Sequence, residues 1–393
     1  MPENSTPNST PLLDVGRGNQ PLKSEIMDTI SDIIDSGWFI GGPHVKALEA
    51  AVAQVSQTKH AIGCASGSDA LLLALMAVDI QPGDEVICPS FTFFATASAI
   101  TRLGGIPVFV DIEPSTFNLD VDHLATLITE KTKAIIPVHL FGQCADMDPI
   151  MELAKARDIA VIEDCAQSIG ATESDRAAGS MGSVGCFSFY PTKNLGGFGD
   201  GGMMTTNDDA MADRLRLLAN HGMRPRYHHQ VVGINSRLDA IQAAVLNSKM
   251  SCLSEYSEKR KRNAVRYRKL MLEAGLSSSV VLPTSLPRNG HVWNQFTIRI
   301  PGGSRDNIRQ QLADMNVGSE IYYPIPLHKQ ECFSYLNVPE GSLPQTDQAC
   351  EEVLALPIFP ELTEGEQKYA VDCLSQALGL GVSTETKELR IAG

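Results

Sequence analysis

The sequence predicts an α/β protein: a largely parallel sheet with helices on both faces, followed by a smaller α+β unit. Three observations lead there. From residue 69 to residue 219, short apolar runs alternate with helical patterns, as strands buried on both faces and joined by crossover helices do. From Arg237 the character changes to long, charge-rich helical sequence and then to isolated strand and helix signals. The length, 393 residues, exceeds what one core usually serves, so one large and one smaller domain are expected.

In chain order, residues 1–11 are rich in Ser, Thr, Asn and Pro and are expected to be a disordered tail. Residues 12–250 are assigned to the large domain and 251–393 to the small one. Gly41-Gly42-Pro43 is a turn by composition. Cys64-Ala-Ser-Gly-Ser68 is a turn that opens a helix from Asp69 to Val78. Strands are predicted at Glu85 to Pro89, Ile106 to Asp111, Ala134 to His139, Ala160 to Asp164, Gly185 to Phe189 and Gly202 to Thr206, with helices such as 148–157 and Asp208 to Ala219 around them. Leu238 to about Ala274 reads as one long helical stretch whose run Glu258-Lys-Arg-Lys-Arg262 is a solvated face. His291 to Ile300 alternates like a strand, Ser304 to Met315 repeats like a helix, and Pro324 to Leu327 is an extended prolyl link.

Composition excludes several classes. A formal charge of −14 disfavours broad contact with a nucleic-acid backbone, so an anionic ligand must meet a local basic pocket. No apolar run reaches the length of a spanning helix and no basic segment leads into an apolar one at the N-terminus, so a cytoplasmic protein without membrane contact is expected. Nine scattered cysteines without a C-x-x-C pair suggest neither a disulfide framework nor a metal site.

The chemistry centres on Ser188-Phe-Tyr-Pro-Thr-Lys193-Asn-Leu-Gly-Gly-Phe-Gly-Asp-Gly-Gly202. A lone loop lysine is usually solvated. The glycines at 196, 197, 199, 201 and 202, however, let backbone pass close to a ligand and take positive φ. A lysine held there loses water, gives up its proton more readily and attacks a carbonyl to form a Schiff base. Val161-Ile-Glu-Asp164 is a buried strand ending in an acid, where α/β sheets bind ligands, although Asp164 could also cap the next helix. A carboxylate there can hold a pyridinium nitrogen protonated, which makes pyridoxal phosphate an electron sink. Ala65-Ser-Gly67-Ser68-Asp69 offers backbone amides and a helix N-terminus to a phosphate, and Ser188 offers a hydroxyl.

Asp164-x-x-Gln167, Ser188 with Pro191-Thr-Lys193-Asn-Leu-Gly196, Gly201-Gly202 and Gly233-Ile-Asn235-Ser-Arg237-Leu-Asp239 together resemble the DegT/DnrJ/EryC1/StrS group of sugar aminotransferases, over residues 12 to about 380. The resemblance implies fold type I of the pyridoxal-phosphate enzymes, like aspartate aminotransferase, in a homodimer with shared active sites. It implies that Lys193 carries the cofactor as an imine, Asp164 faces the pyridine nitrogen, Gln167 lies near the phenolic oxygen and Phe93 stacks on the ring, Phe93 being otherwise a core aromatic. Gly67, Ser68 and Ser188 would bind phosphate, with Asn235 reaching it from the partner chain. Sugar dehydratases of the same fold carry histidine at the position of Lys193, so the lysine favours transamination. Glutamate is implied as donor and a nucleotide-diphosphate keto-sugar as acceptor. The basic loop His221 to His229 suits the acceptor's anionic groups or else is an ordinary surface turn around Pro225, and Arg237 could fork onto a carboxylate or phosphate. Tyr323 and His328, within Tyr322-Tyr-Pro-Ile-Pro-Leu-His328, would line the sugar site, or else pack against the prolines. The runs Tyr227 to Asp239 and His291 to Phe296 most resemble enzymes that aminate C3, including a uronate type. In those uronate enzymes histidine can stand where Tyr322 is, which weighs against a uronate. Amination at C4, and a regulatory protein that keeps the cofactor without catalysis, are the alternatives.

Overall fold

The computed structural model describes residues 7–380. Its helices are α1 Val15–Asn19, α2 Lys23–Ser36, α3 Gly42–Val55, α4 Gly67–Ala77, α5 Ala95–Arg102, α6 Val121–Leu127, α7 Met147–Lys155, α8 Asp209–Ala219, α9 Ala240–Met250, α10 Leu253–Glu273, α11 Arg305–Asp314, α12 Pro344–Glu352 and α13 Glu364–Ala377. Its strands are β1 His60–Cys64, β2 Glu85–Pro89, β3 Ile106–Val110, β4 Thr132–Ile135, β5 Ala160–Asp164, β6 Thr172–Glu173, β7 Arg176–Ala177, β8 Val184–Ser188, β9 Gly202–Thr206, β10 Asn289–Gly290, β11 Phe296–Arg299 and β12 Val353–Leu356.

Seven strands form one sheet in the order β1-β9-β8-β5-β4-β2-β3, and β8, β5, β4, β2 and β3 run parallel. The other two, β9 and β1, are antiparallel at one edge. The predicted class therefore holds, with an antiparallel edge that the alternating pattern does not reveal. Strand β1 was not expected, because His60 and Gly63 interrupt its apolar run. Pairing with all of β9 makes it a strand regardless. The expected strand from Ala134 to His139 ends at Ile135, beyond which only Val138 bridges to Asp164.

Side-chain caps start several of the helices. Ser66 accepts from the Asp69 amide at α4, and Asp208 and Asp239 do the same at α8 and α9. Thr363 and Glu366 form a reciprocal capping box at α13. Leu238 to Ala274 is two helices rather than one, broken at Ser251 and Cys252. The charge pattern hides the break, since both sides of it are good helix formers.

The second unit packs α10, α11, α12 and α13 around the antiparallel β11/β12 pair, with Tyr267 tilted against Phe296 (centroids 5.0 Å apart) at its centre. This core continues into Phe91, Phe117 and Phe141, which lie in loops of the large sheet's unit. The two units thus share apolar contacts where the strand ends open. The N-terminal segment packs on the second unit: Thr10 is buried and bridges to Val317, and Arg17 forks onto Glu366 (2.9 and 3.0 Å). The expected tail over residues 1–11 is partly corrected by this, since Thr10 lies in it; residues 1–6 fall outside those described.

Candidate active site

Asp164 is the last residue of β5 and is buried at 5% exposure. Its Oδ2 accepts from the Thr96 hydroxyl (2.9 Å) and its Oδ1 from the Ala166 amide (3.1 Å). Burial pushes the carboxyl pKa up, and these bonds, with the charge of Lys193, pull it back only in part. An acid so placed is relieved by a cation brought to it.

Lys193 lies in the loop after β8, which is closed by the Lys193 amide on the Tyr190 carbonyl (2.9 Å) and the Gly197 amide on the Phe189 carbonyl (2.8 Å). Desolvation lowers the amine from its ordinary 10.5 to about 8, with Asp164 opposing the shift. At pH 7 about a tenth is therefore the free base, the form that attacks an aldehyde, against well under a thousandth for an ordinary lysine. The rate at which the apo-protein takes up pyridoxal phosphate covalently is expected to rise with pH to a midpoint near 8. Stopped-flow absorbance checks this, and a midpoint near 10.5 would mean a solvated lysine.

The phosphate-binding candidates converge on the start of α4. A Cβ on Gly67 would sit 2.6 Å from Ser188 Cβ, so turn and strand end are in contact, and a Cβ on Gly202 would strike the Ser66 carbonyl. The glycine run after Lys193 was expected to supply positive φ. None of Gly196, Gly197, Gly199, Gly201 or Gly202 has it; what the run supplies is close packing. Ser68 follows Gly67 in the first turn of α4, and Ser188 Oγ accepts from the Tyr190 amide (3.3 Å).

Gln167 is buried, with Oε1 accepting from the Phe141 amide (2.7 Å) and Nε2 facing the Tyr323 hydroxyl at 3.5 Å. Phe93 is 58% exposed and its ring lies 6.3 Å from Tyr323, whereas Phe94 packs on Phe333 at 5.6 Å. Tyr323 thus stands among Phe91, Phe93 and Gln167. His328 Nδ1 lies 2.8 Å from Ser90 Oγ and its Nε2 3.3 Å from Asp347, contacts that tie its loop to the end of β2. In the basic loop, Arg224 forks onto Asp213 (2.6 and 2.7 Å).

Asn235 and Arg237 are exposed on either side of buried Ser236, whose Oγ accepts from the Ala65 amide (3.0 Å) beside the α4 turn. Thr96 is the residue that sequence reasoning missed. It is a threonine two residues beyond the Phe91-Thr-Phe-Phe94 run, with no motif to mark it. Thr96→Val, which keeps shape and removes the bond to the carboxylate, is expected to slow the glutamate half-reaction on the order of 10- to 100-fold. Single-turnover kinetics checks this, and an unchanged rate would make Thr96 incidental.

Comparison with known proteins matches residues 20–375 to the model of the DegT/DnrJ/EryC1/StrS aminotransferase family. The chain belongs to that family. It is 47% identical to a "Pleiotropic regulatory protein" of Geobacillus stearothermophilus, covering 94% of this chain and 98% of that one. It is 45% identical to a UDP-N-acetyl-3-dehydro-α-D-glucosamine 3-aminotransferase of Acidithiobacillus ferrooxidans, covering 90% and 94%. Among solved structures it resembles DesV of Streptomyces venezuelae in complex with a ketimine intermediate, at TM-score 0.90 and 39% identity over 94% of this chain and 98% of that one. Similar chains solved with PMP or in a PLP form share the fold, at TM-scores of 0.89 and 0.84. The chain is a fold type I aminotransferase whose cofactor is pyridoxal 5′-phosphate. Its residues fit that group: a buried acid short of a cation, a desolvated lysine, and a helix N-terminus in contact with a serine.

Proposed function

We propose that this aminotransferase moves an amino group from glutamate to the C3 keto group of a nucleotide-diphosphate-linked sugar, in amino-sugar or surface-polysaccharide biosynthesis. The observation that carries the chemistry is the desolvated Lys193 amine within the field of the buried Asp164 carboxyl. The choice of C3 is supported by the 3-aminotransferase relative at 45% identity.

Bound here, pyridoxal phosphate supplies an aldehyde carbon for amines and a pyridinium ring that accepts electrons. Asp164 would face the ring nitrogen and keep it protonated, held in place by Thr96 and the Ala166 amide. Gly67, Ser68 and Ser188 would bind the phosphate through the amides and dipole of α4 and a hydroxyl. Gln167 would meet the phenolic oxygen, and Phe93 and Tyr323 would flank the ring. Lys193 Nζ would hold the cofactor aldehyde and serve as the base and acid that moves a proton at the donor α-carbon and at the sugar carbon.

The assembly is proposed to be a homodimer in which a second copy brings Asn235 and Arg237 to the site. Its support is the exposure of the segment they belong to, where Tyr227 is 74% exposed and Val232 90%. Among the described residues no helix is long and apolar enough to cross a membrane, consistent with a cytoplasmic enzyme.

The relative named as a regulator keeps open a chain that binds cofactor without turnover. Adding glutamate to the cofactor-loaded protein separates the two readings, since only an enzyme converts the lysine-bound absorbance to that of the pyridoxamine form. Nucleotide 3-keto and 4-keto sugars then test the ring position. Amination at C3, read by mass and NMR, is expected, and equal or preferential amination at C4 would overturn that choice.

A further inference from the structure

The glycine run that follows Lys193 is pressed against one face of α9. Gln242 Oε1 accepts from the Phe198 amide (2.8 Å), and Lys249 Nζ donates to the Gly196 carbonyl (2.7 Å). Both lie on the same face of the helix, since residues seven apart are two turns apart. The approach is close enough to explain the small residues. A Cβ on Gly197 would sit 2.7 Å from Gln242 Oε1 and one on Gly199 3.0 Å from Gln242 Nε2, while one on Gly196 would strike the Pro191 carbonyl within the lysine loop itself. The Phe198 ring covers the Lys249 ammonium at 4.8 Å. Lys249 is 8% exposed and has no carboxylate within ion-pair distance among the described residues, so its strongest polar contact is a backbone carbonyl three residues from Lys193. Such a buried cation costs stability unless its contact matters to the fold or to the site.

We propose that Gln242 and Lys249 are positioning residues that hold the lysine loop to α9 and so fix where Lys193 Nζ meets the cofactor. The proposal rests on the reading of Lys193 given above. The loop between Phe189 and Gly197 is closed at its base by the Gly197–Phe189 hydrogen bond and packed internally by Gly196 on Pro191, so a shift of Gly196 is carried to Lys193. The same helix is tied to the phosphate turn, because Ser236, just before its Asp239 cap, accepts from Ala65. Helix α9 therefore sets the distance between the site's anion cradle and its amine. The charged and titratable groups that face Lys249 across the adjoining cleft are Asp14, Lys193, Tyr256, Arg260 and Glu361.

The test compares the cofactor-loaded variants Lys249→Met and Gln242→Leu with wild type. A misplaced amine costs on the order of 100-fold for a shift of about 1 Å. Each variant is therefore expected to lower the first-order rate of the glutamate half-reaction 10- to 100-fold, to leave the apparent glutamate Kd unchanged, and to move the pH midpoint of the lysine-bound absorbance. Gln242→Leu alters no charge, so a shift there reports position. The double variant is expected to cost no more than the worse single one, because both act on one loop. Lys249→Arg, which keeps a donor, should recover part of the rate. Wild-type rate and midpoint in Gln242→Leu, or additive losses in the double variant, would overturn the proposal. Should Lys249→Met fail to fold, Gln242→Leu alone decides. Borohydride labelling of Lys193 in wild type keeps a failure of this proposal distinct from a failure of the reading beneath it.

Discussion

Lys193→Ala is expected to abolish the absorbance of the lysine-bound cofactor and to lower amino transfer by on the order of 10⁴-fold or more, because the variant loses both its covalent anchor and its proton carrier. The apo-protein is expected to stay folded, with a melting temperature no lower than that of wild-type apo-protein. The sign follows from the amine's environment. Its folded pKa of about 8 lies below the ordinary 10.5, so between those values the unfolded chain binds more protons and stability rises with pH. Below about 8 the folded state carries the full cost of a charged, desolvated amine, and alanine removes it. Comparison of apo forms is essential, since bound cofactor stabilises by mass action. Substantial turnover by Lys193→Ala would refute the assignment.

Asp164→Asn is expected to keep the cofactor bound and to slow both half-reactions by on the order of 10²- to 10⁴-fold, the range given by about 3–5 kcal/mol for removing one partner of a buried charged pair. Asparagine can still accept from the Ala166 amide through its oxygen and donate through its NH2 to the Thr96 hydroxyl, so both contacts can persist while the charge is lost. Burial raises the Asp164 carboxyl above its ordinary value. Any stability cost therefore grows as pH rises through the raised pKa, and the asparagine variant should be no less stable than wild type at neutral pH. Both site residues are thus held against their own preference for water, as groups kept for function often are. Urea titration of the apo forms at two pH values, alongside single-turnover rates, checks both halves. Unchanged rates in Asp164→Asn would mean that the carboxylate does not govern the ring.

How much of this was legible in the sequence depends on how local each contact is. Asp164 and the Ser66-Gly67-Ser68 turn could be read because a strand end and a helix start announce themselves over a few residues. The sheet could be read because its strands are short apolar runs, while β1 could not, since its pairing with β9 spans most of the large unit. Thr96 and Lys249 act across long chain separations through one side-chain atom each, and nothing near them in the chain marks that. The glycine run was visible but its cause was not: a helix lies against it, where a ligand and left-handed backbone were expected. The contacts of His328 with Ser90 and Asp347 were equally invisible, since Ser90 lies far from it in the chain.

One competitor tests the account sharply. Desolvation lowers the Lys249 amine to about 8 as well, and both lysines border one cleft. Lys249 Nζ is bound to the Gly196 carbonyl and has no carboxylate within ion-pair distance among the described residues, whereas Lys193 has Asp164 as a neighbour. Reducing the cofactor-loaded protein with borohydride and mapping the modified peptide by mass spectrometry should place the whole adduct on Lys193. An adduct on Lys249, or none on either lysine, would contradict it.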